Sequence, residues 1–124
     1  STILIFVFSS SISAETYICE ENIINYKKID NGDILILERI QNNQFNISRI
    51  GDELTLDIDI VYDDASNLVL IFYFQDIGIV ENGGGAYLIM IDKNDLTFGA
   101  TGLTHPFEDE NDENTSAGSC KLVN

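Results

Sequence analysis

The sequence predicts an all-β fold: a single antiparallel meander of about eight strands, closed as a small up-and-down barrel or paired as a two-sheet sandwich. Three observations predict it. Short runs rich in Ile and aromatic residues alternate with Asn/Asp/Gly clusters. No window holds a sustained helical apolar period, and the lone proline is Pro106. Two cysteines, Cys19 and Cys120, stand near opposite ends of the chain, where one disulfide would join the first and last strands.

The elements follow in order. Residues 17–20 open the domain. Residues 23–29 and 34–40 flank Asp30-Asn31-Gly32-Asp33, and Asn-Gly is the strongest short hairpin signal. Residues 45–50 follow the turn at 41–44, and 54–62 follow Gly51-Asp52-Glu53. Residues 68–75 follow the turn at 63–67, 86–91 follow the glycine-rich stretch, and 96–103 follow Asp92-Lys93-Asn94-Asp95. Residues 119–123 close the chain.

Pairing the faces gives two registers. A two-residue loop at Lys93-Asn94 sets Ile91 against Leu96, Ile89 against Phe98 and Tyr87 against Ala100. A two-residue loop at Asp52-Glu53 sets Ile47 against Ile58 and Phe45 against Ile60, with a bulge at Gly51 as the expected adjustment. Both hairpins sort into an apolar and a polar face. Leu68 to Phe74 is apolar on both faces, so it is expected to be buried on both sides or, failing that, to line a binding surface.

Charge and composition limit the function. The chain has 124 residues, enough for one ordinary domain, and 21 acidic against 6 basic residues give a formal net charge of −15. With 44% hydrophobic residues it can still build a core. Such a charge repels nucleic acid and anionic lipid. No run after the first residues approaches the ~20 apolar residues of a spanning helix. One histidine, two cysteines and no tryptophan leave no common catalytic or zinc-binding set, and no cofactor is expected.

Residues 1–14 read as the remnant of a secretory signal peptide, with the apolar run Ile3 to Phe8 followed by small residues up to Ala14. Residues 15–124 then form a single exported domain, periplasmic or extracellular. One Cys19–Cys120 disulfide suits that compartment. Neither cysteine has a second Cys or His at metal-ligand spacing, and no basic neighbour activates Cys19.

The candidate sites are few. Residues 104–118 read as an acidic, solvated loop carrying Glu108, Asp109, Glu110, Asp112 and Glu113, a surface for a basic partner or for weak calcium association. It lacks the glycine and spacing of a calcium loop, so no metal site is assigned. The stretch 77–85, with Ile79, Val80, Asn82 and three glycines, reads as a flexible hairpin loop offering apolar contacts. The triple glycine lacks the following Lys-Ser/Thr of a phosphate loop. Asp57 and Asp59 share one strand face and are the carboxylate pair a hydrolase would need, although an ordinary wet sheet surface accounts for them much better. His105, the only imidazole, precedes Pro106 with no Gly-x-Ser-x-Gly elbow to serve. Asn46 and Asn114 begin glycosylation sequons.

The Tyr17-Ile18-Cys19 opening and a cysteine near the end resemble the layout of small exported bacterial β-barrels such as the periplasmic inhibitors of C-type lysozyme. That family's Ser-Gly-x-x-Tyr segment and Tyr…Thr-Lys-Gly motif have no counterpart here, and no functional residue is carried over. The expectation is therefore a monomeric, exported binding or inhibitor-type domain that recognises a basic protein or small ligand through loops, without catalysis. The alternatives are a carboxylate-dependent hydrolase using Asp57 or Asp59, and a structural subunit of an envelope or extracellular assembly.

Overall fold

In the computed structural model, residues 15–52, 55–75, 84–105 and 113–123 are described, and they form one sheet. The strands are β1 (Thr16–Ile24), β2 (Lys27–Lys28), β3 (Ile34–Gln41), β4 (Gln44–Arg49), β5 (Thr55–Asp63), β6 (Asn67–Gln75), β7 (Gly84–Asp92), β8 (Thr97–His105) and β9 (Glu113–Val123). Each strand from β3 to β9 pairs antiparallel with the next, β1 pairs with β3, and β9 returns to pair with β1. The result is an eight-strand closed up-and-down barrel, with the two-residue β2 as an extra strand beside the far half of β1. Closure removes the exposed edges that an open meander would leave.

The core fills the barrel because alternate residues point inward. Tyr17, Cys19, Leu35, Leu37, Phe45, Ile58, Leu68, Leu70, Ile89, Ile91 and Phe98 are buried there. Cys19 and Cys120 lie directly opposite each other across the β1–β9 seam and are disulfide-bonded, with their Cα atoms 4.0 Å apart. The seam is thus closed by a covalent bond as well as by the ladder. The bond points to an oxidising, extracytoplasmic compartment.

Strand boundaries and registers depart from the sequence reading where side chains remake the turns. The chain turns at Asn25-Tyr26, both at positive φ (49° and 71°), so 23–29 is divided between β1 and β2. That two-residue geometry is the hairpin turn, and it precedes the expected one at Asn31-Gly32. In the β7–β8 hairpin Ile91 pairs with Phe98 and Ile89 with Ala100, two residues away from the register expected. Asp92 Oδ1 accepts the amides of Asn94 and Asp95 at 2.9 and 3.0 Å, and Leu96 takes φ 56°, which makes a longer turn. In the β4–β5 hairpin Phe45 pairs with Ile58 and Ile47 with Leu56, again two residues off. There Gly51, at φ 92°, sits inside a turn closed by Asp52 N donating to Arg49 O at 3.0 Å. A shift of two keeps every side chain on its face, so the core assignment survives both changes.

Two further expectations change. Gly84 and Gly85 are buried residues of β7 rather than loop. The apolar strand β6 is buried on one face only: Leu68 and Leu70 point in, while Tyr73 is 58% exposed. A barrel wall is one layer thick, so an outward side chain has nothing to pack beneath.

Candidate functional site

The topology sorts the barrel into two unlike ends. The tight turns after β3, β5 and β7 lie at one end with the start of β1 and the finish of β9; the longer connections after β1, β4, β6 and β8 lie at the other. The first is closed by a polar cluster over the core. Arg39 lies opposite Phe45, with its guanidinium 5.0 Å from that ring's centroid. Its Nε donates to Glu15 Oε1 at 2.9 Å, Nη1 to Asn42 O at 2.6 Å and Nη2 to Asp63 Oδ2 at 2.7 Å. Lys93 Nζ donates to Asp63 Oδ1 at 2.6 Å, and the Tyr17 hydroxyl donates to Glu15 Oε2 at 2.5 Å.

Two cations and two carboxylates therefore neutralise one another. Burial pushes the Asp63 carboxyl up, but the hydrogen bonds from Lys93 and Arg39 outweigh it and hold the carboxyl below its ordinary value. Burial and the bond to Glu15 push the Tyr17 hydroxyl well up. This end is an ionic lid on the core.

The other end holds a recess of about 280 Å³, lined by Glu21, Ile24, Arg49, Tyr87, Gly102 and Ser116 among others. Small residues contribute to it: Gly102 and Ser116 stand on its lining on β8 and β9, paired with Tyr87 and Ala100 respectively. Gly102 lets the Tyr87 ring pack close, because a Cβ there would meet the ring at 3.2 Å and push it by a few tenths of an ångström. Glu21 follows Tyr17 and Cys19 in the inward alternation and is only 7% exposed. A β-bulge between Glu21 and Ile23 then lets Ile24 turn inward as well.

Among the described residues no buried side-chain nitrogen or oxygen lacks a hydrogen-bond partner. Arg49, a cation on the same lining, also pairs with Asp33 at 3.5 Å. Burial pushes the Tyr87 hydroxyl up and the Glu21 charge adds to the rise, while a hydrogen bond from Ser116 and the Arg49 charge act the other way. Chemically the lining offers one carboxylate, one guanidinium, hydroxyl groups and an aromatic ring.

The residues proposed from sequence fall elsewhere. Glu108, Asp109, Glu110 and Asp112, together with Ile79, Val80 and Asn82, lie outside the described residues. Glu113 begins β9, paired with Leu103, and His105 ends β8, so both strands reach into the segment expected to be a loop. The flanks of both connections sit at the recessed end. Asp57 and Asp59 are exposed on the outer wall, where Asn46 Nδ2 and Gln44 Nε2 donate to them at 3.1 and 3.3 Å. Neither carboxyl is desolvated as a general acid must be. Among the described residues no group of three or more His, Cys, Asp or Glu side chains could hold a metal ion. Asn46 is half-buried and Asn114 exposed.

The recess was missed although its alternation was legible. Tyr17, Cys19 and Glu21 are spaced as inward residues, and Tyr87 shares the parity of Ile89 and Ile91. An acidic residue in an inward register is the signal. Comparison with known proteins gave no match: no protein-family model, no curated protein and no solved structure matches this chain.

Proposed function

We propose that the protein is an exported binding domain that recognises a basic protein at the recessed end of its barrel and carries out no covalent chemistry on it. The observation that supports this reading is the contrast between the ends. One is sealed by mutually neutralising ion pairs, whereas the other is recessed and carries a buried carboxylate in a chain of net charge −15. A basic partner gains from the long-range field on approach and from the recess on contact. Glu108, Asp109, Glu110 and Asp112 belong to the β8–β9 connection, whose flanks are at the recessed end, and would add to that attraction. The test is capture on the immobilised oxidised chain from an extract of its own source, at low and high salt, with and without a chelator. Retention of a basic protein that salt releases is expected. Retention of nothing under any of these conditions contradicts the reading.

A second reading, a subunit of an envelope or extracellular assembly, is favoured by the outer wall. Tyr73, Met90 and Leu103 are 58%, 52% and 47% exposed on the adjacent strands β6, β7 and β8. Such a patch suits self-association. Sedimentation equilibrium across a wide concentration range tests it, and a monomer throughout removes it.

A further inference from the structure

We propose that the outer wall of β6–β9 is a contact face for a second copy of this chain, packed face to face about a two-fold axis that runs between β7 and β8. The proposal deepens the self-association reading and rests on it. Buried Leu70, Ile89, Phe98 and Cys120 fix the inward positions of these four strands, so the residues between point outward. Cross-strand pairing then sets Val69, Met90, Gly99 and Ala117 in one outward row, and Ile71, Leu88, Thr101 and Thr115 in the next. Neither row holds a charge, in a chain of net charge −15. The wall of β4 and β5, by contrast, presents Asp57 and Asp59. Two copies meeting there would set carboxylate against carboxylate, whereas on β6–β9 they meet without that cost.

Shape points to a copy rather than to another partner. Met90 stands out from the wall, 52% exposed. Directly across from it Gly99 leaves a notch, since a Cβ there would meet nothing within 4 Å. A two-fold axis along the strands lays β7 of one copy over β8 of the other and keeps each row in place. Met90 then seats over the second copy's Gly99, Val69 over its Ala117 and Leu88 over its Thr101, a larger side chain meeting a smaller one each time. In a third row Leu103 meets Ala86 in the same way. Sheet faces pack within about 30° of parallel, so the match holds near the axis. From strand spacing and rise, the three rows cover about 400 Å² in plan. That is about half of what each partner contributes to a standard interface, so the dimer is reversible and forms at high concentration.

The test is sedimentation equilibrium of the full oxidised chain across a wide concentration range, at low and high salt. A reversible dimer that tightens as salt screens the net charge of −15 is expected. A monomer throughout overturns the proposal and the self-association reading together. Association that salt weakens, or that grows beyond a dimer, keeps that reading and overturns the proposal. Gly99→Val fills the notch and Met90→Ala removes the side chain that enters it. Each is expected to weaken the dimer roughly tenfold or more, because a two-fold contact meets every substitution twice. Gln44→Val, on the wall of β4, should leave it intact. Equal dimerisation in Gly99→Val and Met90→Ala overturns the face. Met90→Ala combined with Gly99→Met again sets a large residue over a small one across the same axis, so the dimer should recover; no recovery overturns the axis. Should Met90→Ala fail to fold, Gly99→Val decides, since its Cβ direction is open. A monomer that binds phosphatidylcholine vesicles gives the face to a lipid surface and overturns the copy.

Discussion

The two ends of the barrel handle inward polar side chains in opposite ways. At the sealed end, Arg39 and Lys93 meet Glu15 and Asp63, and Tyr17 and Phe45 fill the space beneath. At the recessed end Glu21 and Arg49 lie with Tyr87, Gly102 and Ser116 around an open recess. One arrangement satisfies its charges within the chain. The other leaves a volume unfilled beside its charged groups, which is how a binding site differs from a structural cluster. The disulfide and the hydrophobic core lie between them and serve both.

The largest expected effect breaks the frame that both ends share. Replacing Cys19 and Cys120 by Ala opens a link spanning 101 residues and is expected to destabilise the domain by about 4–5 kcal/mol. Urea unfolding of the variant against the oxidised chain measures it. A much smaller loss would mean that the β1–β9 ladder alone holds the seam.

Next comes the sealed end. Arg39→Met keeps a stem over Phe45 but removes the bonds to Glu15, Asn42 and Asp63, at a cost of about 2 kcal/mol. Partner affinity should be unchanged, so chemical denaturation and a binding assay on one variant separate the two ends. Asp63 supplies the pH dependence. Its carboxyl is held below the ordinary value in the folded state, so its contribution is complete above the unfolded value of about 3.9 and is lost as pH falls through the lower folded value. Asp63→Asn should therefore be less stable than the parent at neutral pH, and the gap should close by about pH 2 in acid unfolding curves. A gap that persists there contradicts the ionic-lid account.

The smallest effect sharpens the contrast most. Glu21→Gln keeps the shape of a residue on the recess wall and leaves the sealed end untouched, so stability should change by less than about 1 kcal/mol. Thermal unfolding checks this. A loss comparable to that of Arg39→Met would show that Glu21 is held as tightly as the sealed end and is structural.

Much of this architecture was readable from alternation. Inward positions on β4, β5, β7 and β8 were assigned correctly although both hairpin registers were two residues off, because a shift of two leaves the face unchanged. The turns were less legible. Their length depends on side chains such as Asp92 capping the following amides, and on Asn25-Tyr26 adopting positive φ. The site was least legible of all. Acidic residues draw attention where they cluster, but the recess depends on a single Glu21 in register with the core and on small residues from β8 and β9. Those positions come together only on barrel closure. The double apolar face of β6 misled for the same reason, since burial of both faces needs a second layer that a barrel lacks.

The most direct test of the contrast is an amide NMR map of the full chain titrated with an oligolysine peptide as probe for a basic partner. Saturating shifts at Glu21, Tyr87, Gly102 and Ser116, with Arg39, Asp63 and Lys93 unmoved, are the predicted result. Shifts centred on the sealed end, or spread evenly over both, would contradict it.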